Sequence, residues 1–137
     1  MKKVIFFICL SVMIIGCKKS DGPFVNLTGT WEMVGQFGFG VYQSKTYPTG
    51  QGNLLQFSGG NIYKMSLNFQ QVELGVYRIV PKGTTKVNKT FDAIYLGEKS
   101  FNAISIRNDS LTISTPPNDA KGNMIADGGL ALYIRQK

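Results

Sequence analysis

The sequence predicts an all-β fold: an antiparallel up-and-down meander of about eight strands, closed or nearly closed into a barrel. Three observations carry this. Apolar and polar residues alternate over short segments. Turn-forming residues punctuate those segments throughout, with 16 glycines and 5 prolines among 137 residues. No segment sustains the periodicity of an amphipathic helix. An open sheet of that many strands would leave exposed edges, and closure removes them.

Trp31, Met33, Gly35, Phe37 and Phe39 occupy alternate positions with Glu32 and Gln36 between them, which marks a half-buried first strand that Gly38 and Gly40 break. Residues 41–53 contain Tyr42, Tyr47, Pro48, Gly50 and Gly52, and are expected to form a long loop or lid rather than a core element. A second strand at 54–57 runs into Ser58, Gly59, Gly60 and Asn61, a hairpin signal, and a third covers 62–69. The fourth spans 72–80, where Leu74, Val76, Tyr77 and Ile79 are apolar, and Pro81 ends it. Polar, threonine-rich 82–89 reads as a loop. Further strands are expected at 91–96, 101–107, 111–115 and 130–136, the middle two joined through Asn108, Asp109 and Ser110. Residues 116–129 hold two prolines, two aspartates and three glycines and read as a loop.

The N-terminus stands apart from this pattern. Lys2 and Lys3 precede an apolar run at 4–15 broken only by Ser11, followed by Gly16 and Cys17. That is the pattern of a signal peptide, and the run is shorter than the roughly 20 residues needed to cross a bilayer core. Ile14, Ile15, Gly16 and Cys17 resemble a bacterial lipobox, where the signal peptidase cuts before a diacylated cysteine. The resemblance implies a cleaved signal at 1–16, lipidation of Cys17, a flexible tether at 17–26 and a folded domain at 27–137. Each buried acyl methylene contributes about 0.8 kcal/mol, so two or three chains such as palmitate anchor durably. The protein is thus expected to be anchored to a membrane without spanning it. Lys18 in place of aspartate after the cysteine does not resemble an inner-membrane retention signal, which makes the outer membrane the expected location, on either its periplasmic or its surface face.

Composition narrows the function. The chain has no histidine, the commonest general base and metal ligand. Cys9 leaves with the signal and Cys17 is consumed by lipid, so no disulfide, metal site or cofactor is expected. Losing Lys2 and Lys3 leaves 13 basic against 8 acidic residues, and apart from Lys18 and Lys19 the positive charges, from Lys45 through Lys64, Lys82, Lys86, Lys89 and Lys99 to Lys121, are scattered singly. Nucleic acid recognition calls for a clustered basic footprint, so no nucleic acid partner is expected. Gly35, Gly38 and Gly40 have no helix after them to form a phosphate loop. No nucleophile and base can be paired from the spacing, and no enzymatic activity is expected.

Leu27, Thr28, Gly29, Thr30 and Trp31 at the first strand, with Leu132, Tyr133, Ile134 and Arg135 at the last, resemble the two ends of the lipocalin pattern, of which Gly29-x-Trp31 is the sharpest part. The intervening order of short motifs is similar to that of small lipocalin-like lipoproteins of Bacteroidetes. The resemblance implies that Trp31 seals one end of the barrel while Arg135 lies over its indole, a cation–π contact worth about 0.5–2 kcal/mol within about 6 Å. This role is structural. Departures from larger lipocalins are the short chain, the lack of a disulfide and the loop at 116–129 where a helix often lies.

A ligand cavity, if present, would be lined by Phe37, Phe39, Leu55, Phe57, Tyr63, Met65, Tyr77, Ile104, Ile106, Leu111 and Ile113, residues for which plain core packing is the competing reading. Tyr42 and Tyr47 are placed to close its mouth. The leading expectation is carriage of a small apolar ligand at the cell envelope. The alternatives are a solid barrel that binds another envelope protein or a glycan, and a hydrolase inhibitor of the small-barrel type. A closed apolar space of about 300 Å³ or more favours a ligand, and a filled interior favours a protein partner.

Overall fold

The computed structural model describes residues 27–38, 44–88, 90–98, 100–116, 121 and 128–137. Among these, nine strands form: β1 (Gly29–Gly38), β2 (Lys45–Thr46), β3 (Leu54–Ser58), β4 (Ile62–Leu67), β5 (Gln70–Val80), β6 (Asp92–Leu96), β7 (Ser100–Arg107), β8 (Ser110–Ser114) and β9 (Gly129–Arg135). All pairs are antiparallel. Eight strands close into an up-and-down barrel in which β9 returns to pair with β1, and β2 is an extra strand on β1. The segment at 41–53 is therefore more than a loop, because Lys45 and Thr46 pair with Gln36 and Gly35.

The inward faces meet in one core. Trp31, Leu55, Phe57, Tyr63, Ile94, Ile104, Leu111, Ile113 and Tyr133 are buried in it, with Met33, Met65, Tyr77, Ile79 and Ile106 packed against them. Full burial of each large apolar side chain contributes about 1.5–3 kcal/mol. Trp31 and Arg135 face each other across the β1–β9 seam, with the Arg135 Cζ 4.2 Å from the indole ring. The indole Nε1 donates to the Leu27 carbonyl at 2.8 Å, and an Arg135 guanidinium nitrogen donates to the Thr28 carbonyl at 2.9 Å. Gly29 makes room for this: it sits at φ +133, and a Cβ there would meet the guanidinium at 3.0 Å.

A bulge interrupts the β1–β9 ladder between Met33 and Gly35. Ahead of it Trp31 and Met33 face the core. Beyond it the faces exchange, since Gln36 pairs with buried Ala131 and Phe37 pairs with Leu130. Phe37 consequently lies on the outer face, 39% exposed, and does not line the interior with Trp31 as the alternation suggests. The turn after β4 also differs from expectation. Asn68 and Phe69 take φ values of +50 and +64, so the strand expected at 62–69 ends at Leu67 and β5 begins at Gln70.

The polar 82–89 segment is organised by one side chain. Asn88 is fully buried, its Oδ1 accepts from the Thr85 N–H and hydroxyl, and its Nδ2 donates to the Val80 and Pro81 carbonyls. All its hydrogen-bonding groups are used, which offsets the cost of burial.

Truncating the seam separates its parts. Trp31→Ala is expected to destabilise the fold by about 3–5 kcal/mol, and Arg135→Ala by about 1–3 kcal/mol through loss of the ring contact and the Thr28 bond. Urea unfolding followed by tryptophan fluorescence for Arg135→Ala, and by circular dichroism for both, measures these; an Arg135→Ala variant as stable as wild type would remove the seam role.

Candidate functional site

Of the residues expected to line a ligand space, Phe57 and Tyr63 are buried in the core and Met65 and Tyr77 pack against it. Phe57 and Tyr77 meet edge to face with ring centroids 4.9 Å apart. Tyr63 is 1% exposed and lies over Gly75 of β5, where a Cβ would approach its ring to 2.8 Å. Its hydroxyl donates to the Glu73 carboxylate. Met65 packs against the same core. Burial, reinforced by the Glu73 hydrogen bond and charge, pushes the Tyr63 hydroxyl up to about 12. Phe39, Tyr42 and the lipidation candidate Cys17 lie outside the described residues.

At the end of the barrel opposite Trp31, the bulge has turned Gln36 inward, and Tyr47 follows β2 into reach of it. The Tyr47 hydroxyl donates to Gln36 Oε1 at 2.8 Å, and its backbone N–H donates to the Val34 carbonyl at 3.0 Å. Tyr133 lies near, and its hydroxyl is raised to about 12, chiefly by burial and then by the proximity of Tyr47. Tyr47 is thus tied to β1 by two hydrogen bonds, and Lys45 stacks on its ring at 5.0 Å.

Two grooves are lined entirely by described residues. One of about 460 Å³ is lined by Lys45, Tyr47, Pro48, Gln51, Asn53 and Asn68, together with Thr46 and Leu67. Its floor is braced from both sides. Asn53 accepts from the Asn68 N–H through its side chain and from the Met33 N–H through its carbonyl, while the Gly52 carbonyl takes the Phe69 N–H. Gly52, at φ +71, touches Phe69 so closely that a Cβ would come within 2.5 Å of the ring. Behind the groove, Glu32 is 1% exposed, and its carboxylate accepts from the Gly50 and Gln51 N–H groups at 2.6 and 3.1 Å and from the Gln136 side chain. The loop is therefore held to the barrel wall by a buried carboxylate. The second groove, about 340 Å³, lies where β6 leaves β5 and is lined by Val76, Tyr77, Arg78, Tyr95, Gly97 and Glu98. Arg78 stacks on Tyr95 at 4.2 Å, and Tyr95 packs on Phe101.

The first groove offers amide donors and acceptors, one ammonium and a proline beside an aromatic ring. This suits polar recognition of an extended surface. Among the described residues, no three acids or cysteines gather as metal ligands. Sequence reasoning singled out Tyr47 but missed Glu32, Gln36, Asn53 and Asn68. The available signals were an acid between Trp31 and Met33 in β1 and asparagines flanking the strand ends.

The two raised hydroxyls have a consequence for stability. Both are more strongly protonated in the folded protein than in the unfolded chain, so their contribution is complete below about pH 10 and is lost as pH rises toward 12. Two of the six tyrosines are expected to ionise only near pH 12, together with unfolding, in a tyrosinate absorbance titration. Tyr133→Phe should remove one of these late transitions; six ordinary midpoints near 10 would contradict the burial described.

No family model matches the chain, and no characterised protein or solved structure is significantly similar to it.

Proposed function

We propose that this is a lipid-anchored, non-catalytic envelope protein whose barrel is solid and which binds a protein or glycan at its outer surface. The observation that carries the reading is where the expected lining side chains go: Phe57 and Tyr63 are buried in the core that holds Trp31 and Tyr133, and Met65 and Tyr77 pack against it. The groove bounded by Tyr47, Gln51, Asn53 and Asn68 is the proposed contact site. Its support comes from the bracing by Glu32 and Asn53, which preorganises the loop and lowers the entropic cost of binding. The anchor rests on the sequence at 1–17, and the non-catalytic role on the missing histidine.

Native mass spectrometry of the purified protein tests the solid barrel: the reading expects the mass of the acylated chain alone, and a co-purified apolar molecule held inside would overturn it. Cys17→Ser is expected to abolish palmitate labelling and leave the uncleaved precursor, read from intact mass. A labelled, processed C17S protein would move the lipid elsewhere.

A further inference from the structure

On the reading that the groove beside β2 is the contact site, we propose that it takes an acidic saccharide: the Asn53 side-chain amide donates to a sugar hydroxyl, and Lys45 selects sugars that carry a carboxylate. Asn53 holds an unused donor. It is 8% exposed, and its Oδ1 accepts from the Asn68 N–H at 3.3 Å. Its Nδ2 meets no acceptor among the described residues, yet it is not sealed away from the outside. A nearly buried polar side chain ordinarily has its groups paired, and Asn88, of the same residue type, uses all of its own. Asn53 differs in lining a groove, so its open donor is turned to the space that a ligand occupies. Two bonds fix its direction. The Asn53 carbonyl takes the Met33 N–H at 2.8 Å, which holds the backbone to β1, and the Oδ1 bond sets the plane of the amide. A donor held in this way costs little to order on binding.

The rest of the lining says what chemistry fits. Three carboxamides, from Gln51, Asn53 and Asn68, meet there with one ammonium and no acid. Each carboxamide sets a donor beside an acceptor, which matches neighbouring hydroxyls on a sugar ring, since a hydroxyl both donates and accepts. Pro48 and the Tyr47 ring add flat apolar surface of the kind against which the C–H face of a pyranose packs. Tyr47 is already fixed through its hydroxyl to Gln36. A space of about 460 Å³ holds a short oligosaccharide rather than a single ion. Lys45 is exposed, stands 5.0 Å from the centroid of the Tyr47 ring, and is joined to no carboxylate of the described residues. Its charge is left for the ligand, which makes a uronic acid the best-fitting sugar.

A peptide fits this groove less well. β2 is two residues long and Pro48 follows closely, so a peptide finds little edge on which to add as a strand. Leu67 is the one large aliphatic side chain in the lining, where a protein partner calls for a cluster of apolar anchors. The groove recognises through side-chain amides and a cation, and that is the chemistry of a hydroxylated, negatively charged ligand.

The full chain in mild detergent, applied to an array of neutral and uronic-acid oligosaccharides, is expected to bind, and most tightly to uronic-acid members; the tightest is then titrated by calorimetry. Asn53→Asp keeps the acceptor for the Asn68 N–H and replaces only the donor. With the fold verified by circular dichroism, it should weaken binding about tenfold or more, because a carboxylate then faces the ligand. Lys45→Gln, at an exposed position, should leave neutral sugars unaffected and weaken uronic-acid sugars about two- to fivefold. An array on which no saccharide binds would overturn the proposal, as would titrations indifferent to both substitutions. A photo-cross-linker placed at Gln51 and exposed to envelope extract separates this failure from failure of the groove itself. A polypeptide adduct there overturns the saccharide and keeps the contact site, whereas neither saccharide nor adduct removes both.

Discussion

The seam between the first and last strands governs the rest of the molecule. Without β1 against β9, both would be open edges, and the wall formed by Leu55, Leu111 and Tyr133 would face water on one side. Trp31 and Arg135 lie across that seam from each other. The indole supplies buried area, while the guanidinium supplies hydrogen bonds that reach the chain just before β1. Asp109 joins the assembly from the turn between β7 and β8, 3.8 Å from the Arg135 Nε. The Arg135 N–H also reaches the Asp109 carbonyl. One residue thus links the entry, the exit and a turn of the barrel.

The bulge at Val34 divides β1 into two working halves. Its first half seals one end with Trp31. Its second half, with faces exchanged, sends Gln36 inward and lets β2 take the edge that β3 has left. The surface groove follows from this division, since Tyr47 and the loop held by Glu32 approach the wall where β3 begins. A single extra residue therefore separates the part of the strand that stabilises from the part that shapes a surface.

Much of this architecture was legible in the sequence, and for an identifiable reason. Two-residue alternation survives wherever a strand is regular, so β3, β6, β7, β8 and β9 lie close to where the pattern puts them. The pattern fails where its parity changes. Phe37 belongs to the apparent alternation of Trp31 and Met33, yet the Val34 bulge carries it to the other face. Asn68 and Phe69 were hidden for a different reason, because a left-handed turn is ordinarily signalled by glycine, and here it is made with a bulky aromatic held by the Gly52 carbonyl. Asn88 in its threonine-rich loop carries no local signature, and Glu32 shows only as an acid within β1, since the partners of both are supplied only by the folded chain. What could be read was the barrel; what decided the groove was long-range pairing.

The seam also fixes the order in which the chain can become a barrel. Glu32 and Gln136 are hydrogen-bonded across a separation of 104 positions, so loop closure must take in almost the whole domain before β1 finds its second neighbour. Hairpins such as β4–β5 and β7–β8 can form locally, but a nascent chain that has not yet delivered Arg135 has no way to complete the wall. Closure of the barrel thereby waits for the last strand, and a chain stopped before Arg135 would leave an open sheet.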